Sequence, residues 1–201
     1  ACYAVVAYQT AWLKAYYPVE FMAALMTSVM DNTAKVTGYI NDCRSMGIEI
    51  LPPDINESFV QFSVSDNKIR FSLAAIKSVG RPFIKAIEKE REKNGKFKGL
   101  TDFCERMSGK DNNRRMVENL IYAGAFDSFG GTRRQYVTVC KSVMDGLSQS
   151  RKNNIEGQLN LFDICAEDNG SVTSGDDFRP IEEFKTKEKR TFEKQVLGIY
   201  I

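Results

Sequence analysis

Apolar residues recur along this chain at spacings that predict helices. Between residues 3 and 17 they occur on nearly every face, which predicts a buried helix rather than an amphipathic one. Pro18 restarts the chain, and two further segments carry apolar stripes at helical spacing. The members of these stripes are Phe21, Met22, Leu25 and Met26, then Val36, Ile40 and Cys43. Gly47 marks the end of the third predicted helix.

A different pattern surrounds Asp66-Asn67. Apolar and polar residues alternate with a period of two on both sides of this dipeptide, at Phe62 and Val64 before it and at Ile69, Phe71 and Leu73 after it. Such alternation around a turn sequence predicts a short β-hairpin. Residues 48–51 form another β-like stretch, which Pro52-Pro53 ends.

Helical spacing returns in the second half of the chain. One helix is predicted over 82–93, stopped by Asn94-Gly95. The next predicted helix has Leu100, Phe103, Cys104 and Met107 on one face. A third covers 114–123 and ends at Gly124, and Thr132 with Gln135 suits a capping box that opens a fourth.

The stretch 76–87 sets a small-residue turn between two apolar helical segments. Gly80 tolerates a positive φ, and Pro82 suits the first helical position, where no N–H is needed. The free N–H groups of a helix N-terminus favour an anion, and basic neighbours favour a DNA backbone without regard to base sequence. The residues predicted to bind phosphate here are Lys77, Ser78, Gly80, Arg81 and Lys85. The alternative is a structural turn with a solvated basic face.

A second helix, small-residue turn and helix occur around Gly124. Four arginines flank this turn, and we add them with Gly124 to the predicted DNA-binding residues: Arg114, Arg115, Arg133 and Arg134. Two such hairpins on a pseudo-twofold axis would face one side of a duplex, as paired helix-hairpin-helix modules do. The predicted fold is therefore mainly α, or α+β with a small β-hairpin, as a helical bundle with a tandem helix-hairpin-helix module.

Charge is distributed unevenly along the chain. The formal net charge is only +2, but residues 68–115 hold fourteen lysines and arginines against six acidic residues. Residues 1–67 hold three against seven, and residues 153–184 hold one against eight. A polyanionic partner is thus expected at the middle block.

Composition also excludes several kinds of chemistry. The chain has no histidine, which removes His-assisted nucleophilic triads and imidazole metal sites. Its five cysteines are scattered without a Cys-x-x-Cys pair, so neither a zinc site nor a disulfide framework is predicted, and a reducing cytoplasm fits best. No apolar run approaches the roughly 20 residues of a membrane span, and no membrane partner is expected.

Residues 148–180 are rich in Ser, Asn, Gly and Asp, which predicts a linker or mobile loop. One apolar island interrupts it, and its predicted partner-binding residues are Gln158, Leu159, Leu161 and Phe162. Apolar clusters in such tracts insert into a pocket of a partner. The alternative is that the island folds back onto its own domain.

Six stretches resemble, in family order, the alpha subunit of bacterial DNA polymerase III, the replicative C-family polymerase. They are residues 6–24, 51–56, 69–77, 120–127, 158–162 and 192–200. In the first, Tyr8-Gln9-Thr10 precedes a Tyr-Pro-Val-Glu-Phe-Met run. The fifth, Gln-Leu-Asn-Leu-Phe, resembles the family's sliding-clamp-binding motif. Helix-hairpin-helix turns commonly have Gly-x-Gly, and here Ser78 replaces the first glycine.

The resemblance implies an excised fragment with four parts. These are distal fingers helices plus a short β-hairpin (1–73), a tandem helix-hairpin-helix module (74–147), a flexible linker with a clamp-binding motif (148–180), and a helix leading toward a C-terminal barrel (181–201). Implied partners are double-stranded primer-template DNA, the sliding clamp and other replicase subunits, in the bacterial cytoplasm. The family's catalytic aspartates and Mg²⁺ belong to a palm domain upstream. No catalytic residue, metal ligand or cofactor is therefore predicted here.

Two rival functions come from other classes. A base-excision glycosylase has a catalytic Asp some twenty residues after its hairpin, and Asp102 lies at about that distance from Gly80. The expected Gly/Pro-rich loop and nucleophilic Lys are not recognisable, however. A protein that only docks onto a clamp is the other alternative, and it would not bind DNA.

Overall fold

The computed structural model describes residues 2–109, 113–155 and 181–200. Eight α-helices lie in these ranges: α1 Cys2–Tyr16, α2 Pro18–Ser28, α3 Thr33–Ser45, α4 Arg81–Asn94, α5 Leu100–Met107, α6 Arg114–Ala123, α7 Arg133–Ile155 and α8 Thr186–Leu197. The three described strands are β1 Ile50–Leu51, β2 Ser63–Ser65 and β3 Lys68–Arg70. The predicted mainly helical fold with a small sheet is confirmed.

The small sheet has the order β1-β3-β2. β2 and β3 pair antiparallel, with Val64 opposite Ile69, so the predicted hairpin is confirmed. Asp66 and Asn67 both take positive φ angles, 50° and 61°, as a two-residue hairpin turn requires. β1 then pairs parallel to β3 with Ile50 opposite Ile69. The sequence predicted a β-like stretch there but not this pairing.

A single hydrophobic cluster joins the sheet to the helices around it. The predicted stripes supply it: Met22 and Met26 from α2, Val36 and Ile40 from α3, and Leu100, Phe103, Cys104 and Met107 from α5. At its centre, the ring of Phe103 lies edge-on to Phe97 and Phe126, at centroid distances of 5.1 and 5.2 Å. Since Phe126 follows the Gly124 turn, the core connects that turn to α5.

The prediction for α1 was wrong. Its residues are all exposed, Tyr3 at 92% and Val6 at 57%, and its main contact is with α2. An apolar composition on every face shows only that a helix can be buried. Burial also needs a packing surface, and the described residues provide α1 with one on a single side.

The later part of the chain departs from the predicted boundaries at one point. α7 continues to Ile155, past residue 148 where a linker was predicted. A polar segment can continue a helix without any apolar stripe, so periodicity gave no signal. Residues 158–162 lie outside the described residues. No helix among the described residues combines the length and apolarity needed to cross a bilayer.

Candidate nucleic-acid interface

The first hairpin, residues 73–94, is built differently from the two-helix prediction. Its first segment is one turn of 3₁₀-helix, Leu73–Ala75, because β3 ends only at Arg70 and leaves no room for a longer helix. Ser72 caps that turn by accepting a hydrogen bond from the N–H of Ala74 at 3.0 Å. The turn 76–80 then leads into α4.

The turn places its left-handed residue two positions earlier than predicted. Ser78 has a φ of 62°, whereas Gly80 has a φ of −73° and is the N-cap of α4. Pro82 is the second residue of α4, not the first. Ser78 thus takes the conformation that suits the first glycine of a Gly-x-Gly turn, at a cost of about 1 kcal/mol for a residue with a Cβ.

Two hydrogen bonds from distant elements hold this turn. The N–H of Lys77 donates to the carbonyl of Val196 at the end of α8, at 2.9 Å. The carbonyl of Lys77 accepts from the Asn119 side chain on α6, at 2.8 Å. The peptide groups beside the strained Ser78 are therefore fixed by both helices.

The N-terminus of α4 is open. In the described part of the chain, the N–H groups of Gly80, Arg81 and Phe83 have no acceptor, and no side chain caps the helix. Gly80 and Arg81 are exposed. Unpaired N–H groups together with the helix dipole favour an anion at this position.

Exposed basic side chains surround the open N-terminus. Arg81 pairs with Asp31 at 3.0 Å, but both groups are exposed, so the pair contributes little. Among the residues the structure describes, no carboxylate pairs with Lys77, Lys85 or Arg115. Arg115 lies one helical turn before Asn119, on the face of α6 that meets the first hairpin. Arg114 is also exposed and pairs with Glu118 at 2.7 Å.

The second hairpin, residues 114–155, consists of α6, a turn and α7. Gly124 ends α6 in the left-handed conformation, with a φ of 86°, and donates its N–H to Ile121 at 2.9 Å. It is buried, and a Cβ there would collide with the guanidinium of Arg133 and approach Asp127 Oδ2 to 2.9 Å. Gly124 therefore serves the fold, and its N–H is not available to DNA.

Arg133, predicted to bind DNA, is only 5% exposed. Its guanidinium donates to Asp127 at 2.7 Å, to Glu193 on α8 at 2.8 Å and to the carbonyl of Tyr122 at 3.0 Å. Burial alone would lower the pKa of Arg133, but the two carboxylates outweigh it and raise the pKa. Arg133 therefore connects α7 to α8 and to the end of α6, and its place beside the turn did not indicate a DNA contact. Arg134 is exposed, and its contact with DNA stays a prediction.

The N-terminus of α7 is occupied by a carboxylate. Glu183 Oε2 accepts from the N–H of Arg133 at 3.2 Å, and Oε1 accepts from the N–H groups of Arg134 at 3.2 Å and Phe184 at 2.9 Å. Burial would raise the pKa of Glu183, but these N–H groups lower it. The predicted capping box is confirmed, since Gln135 N–H donates to Thr132 Oγ1 at 3.2 Å and Thr132 N–H donates to Gln135 Oε1 at 3.3 Å.

Sequence reasoning missed Asn119, Glu183 and the carbonyl of Val196. Asn119 had a weak signal, since Asn is a poor helix former in the middle of α6. Glu183 had no such signal, because it lies 50 residues along the chain from Arg133, the first residue of the helix that it caps. A backbone carbonyl such as that of Val196 leaves no mark in a sequence.

Asp102, the residue of the glycosylase alternative, has a local role. Its Oδ2 accepts from the N–H of Lys98 at 2.9 Å and from Arg106 at 3.2 Å. These contacts join the start of α5 to the loop before it. A carboxylate so engaged is not placed as a free catalytic group, and this disfavours the glycosylase.

Comparison with known proteins identifies the class. The family described as helix-hairpin-helix motif matches residues 47–136, which include the first hairpin and the turn of the second. The region 47–136 is thus similar to the helix-hairpin-helix motif.

Three relatives indicate a particular family of DNA-binding proteins. Over its whole length the chain is 41% identical to DNA polymerase III subunit alpha of Vibrio cholerae, 44% to that of Neisseria meningitidis and 40% to that of Escherichia coli K12. It spans 17% of the length of each of these relatives. The chain belongs to the DNA polymerase III subunit alpha family, and it matches one segment of that protein.

Proposed function

We propose that this chain holds duplex primer-template DNA by phosphate contacts during template-directed synthesis by a replicative polymerase. One observation carries the proposal: the open N-terminus of α4, set among exposed basic side chains, lies inside the region that matches the helix-hairpin-helix motif. Backbone N–H groups and lysines recognise phosphate rather than base edges, so binding is independent of sequence.

The proposed contacts follow the geometry of the first hairpin. The N–H groups of Gly80 and Arg81 meet one phosphate, and the exposed side chains around them supply charge. Arg81 exchanges Asp31 for a DNA phosphate at little cost, because the Arg81–Asp31 pair is exposed. The basic contributors are Lys77, Arg81, Lys85 and Arg115.

A salt titration tests this assignment. If about four to six phosphates are neutralised, the logarithm of the binding constant falls with log salt at a slope near −4 to −5. Replacing Arg81 and Lys85 together by Ala flattens the slope by about two units. The control is Lys14→Ala with Lys35→Ala, which removes the same charge from α1 and α3. Equal slopes for the two double variants would place the DNA surface elsewhere.

The parent polymerase activity is proposed from the relatives alone. Phosphoryl transfer needs carboxylates that hold two metal ions beside the primer terminus, and we assign no residue of this chain to that role. We expect the 201-residue chain to incorporate no nucleotides. Template-dependent extension by a preparation free of other polymerases would contradict this.

A second proposal is that residues 158–162 bind a sliding clamp. Its support is the sequence Gln-Leu-Asn-Leu-Phe in an acidic tract and the family resemblance. Leu161 and Phe162 would enter an apolar cleft, while Gln158 forms hydrogen bonds at its rim. A short peptide motif spends much of its binding energy on fixing its own conformation, so affinity should be on the order of micromolar. Other replicase subunits are proposed partners on the same ground.

Calorimetry with purified clamp tests the second proposal. Replacing Leu161 and Phe162 by Ala should abolish binding, and Asn160→Ala serves as the control. Both variants should retain DNA affinity, since none of the three residues is charged. Equal clamp binding by wild type and the double variant would refute the assignment.

A further inference from the structure

The two hairpins offer the same kind of helix N-terminus, but only one of them is filled. At α4, three N–H groups have no acceptor in the described residues. At α7, the N–H groups of Arg133 and Arg134 each donate to one oxygen of the Glu183 carboxylate. A carboxylate and a phosphate diester both carry one negative charge and accept from such a pair of donors.

Glu183 is held in place by its neighbours as well as by the helix. The hydroxyl of Thr132 donates to the carbonyl of Ile181 at 3.0 Å, and Lys189 pairs with Glu183 Oε2 at 3.4 Å. The ring of Phe184 lies edge-on to Phe192 at 5.1 Å, and Phe192 stacks on Tyr122 of α6 at 4.5 Å. The segment 181–185 is therefore anchored to both helices of the second hairpin.

We propose that Glu183 is a built-in phosphate mimic that closes the second hairpin to DNA, so that the first hairpin alone grips the backbone through its helix N-terminus. An intramolecular carboxylate acts at a high effective concentration, which free DNA must exceed. Its charge also repels a phosphate from the same N–H groups. The inference rests on the proposed function, because it asks which hairpin carries out DNA binding.

Amide NMR of the wild-type chain gives the first test. On addition of a short blunt duplex DNA, the amide signals of Gly80, Arg81 and Phe83 should shift, while those of Arg133 and Arg134 should stay in place. Shifts at Arg133 and Arg134 in the wild type that match those of the first hairpin would overturn the inference and leave DNA binding by the first hairpin intact.

Removing the carboxylate gives the second test. Glu183→Ala should bind the duplex about tenfold more tightly than the wild type at low salt and steepen the salt slope by about one unit, the value for one added phosphate. Glu182→Ala removes the same charge from the exposed neighbouring residue and should change the slope little. Glu183→Gln, which keeps the side-chain shape, should lie between the two.

The DNA affinities and salt slopes of these variants test the role of Glu183 separately from DNA binding by the first hairpin. Equal affinity and slope for Glu183→Ala and Glu182→Ala would overturn it, including the case in which neither binds DNA. Binding by Glu183→Ala but not by the wild type would refute the role of the first hairpin and would overturn the inference that this hairpin alone grips the backbone.

Discussion

The first and second hairpins share an outline and differ in how each glycine and helix N-terminus is used. In the first, Gly80 has an ordinary φ of −73°, is exposed and precedes N–H groups that have no acceptor in the described ranges. In the second, Gly124 has a φ of 86°, is buried against Arg133, and the following helix is capped by Glu183. Similar sequence patterns therefore give an exposed, uncapped helix N-terminus in the first hairpin and a buried, capped one in the second.

The difference shows that charge in the sequence does not identify a DNA contact by itself. Arg81 and Arg133 both lie at the first position of a helix that follows a glycine-containing turn. Arg81 is exposed and paired with one exposed acid, whereas Arg133 is enclosed by Asp127, Glu193 and a carbonyl. The buried acids on other elements decide which arginine is available to a ligand.

Arg133→Ala is expected to have the largest effect on stability. It leaves Glu193, whose side chain is 13% exposed, without its cationic partner, and breaking such a buried pair costs about 3 to 5 kcal/mol. Urea unfolding should show that loss, whereas Arg134→Ala at the exposed neighbour should change stability by at most about 0.5 kcal/mol. Equal losses in the two variants would contradict the structural role of Arg133.

The second-largest effect on stability is expected from replacing the glycine of each turn, and it should differ between the two hairpins. Gly124→Ala places a Cβ in the left-handed region and against the Arg133 guanidinium, so we expect a loss of about 2 to 3 kcal/mol. Gly80→Ala meets only Pro82 Cδ at 3.7 Å and should cost less than about 1 kcal/mol. Thermal unfolding of both variants measures the difference. A larger loss for Gly80→Ala would reverse the assignment of the two glycines.

The pH dependence of stability should report on Glu183. Its pKa is lowered in the fold, so its stabilisation is complete above the ordinary Glu pKa of about 4.3 and is lost as pH falls through the lowered pKa. Relative to Glu183→Gln, the wild type should gain about 1 kcal/mol at neutral pH, and the gap should shrink as pH falls below the ordinary Glu pKa of about 4.3. A gap that persists at lower pH would show that the carboxylate charge is not the cause.

Local patterns predicted most of the fold, and contacts between distant elements explain what they missed. Period-two alternation and Asp66-Asn67 predicted the hairpin, and spacing predicted α5 and its four buried residues. The capping of α7 depended on Glu183 from the segment before α8, and the position of the first turn depended on the carbonyl of Val196 at the end of α8. α1 is exposed because the described residues give it a packing surface on one side only, which composition does not encode.

The smallest expected effect concerns the turn of the first hairpin. Ser78 has a φ of 62°, and a glycine there would remove the steric cost of the Cβ while adding flexibility to the unfolded chain. The two terms partly cancel, so Ser78→Gly should stabilise the chain by about 0.5 kcal/mol. Ser78→Ala keeps the Cβ and should not stabilise. The hydrogen bonds of Lys77 to Val196 and Asn119 remain in both variants.

Neither variant changes a charge. The salt slope of DNA binding should therefore stay at the wild-type value, while urea unfolding shows a difference in stability between the two variants. Equal stabilisation by both variants would show that the backbone at Ser78 is not strained.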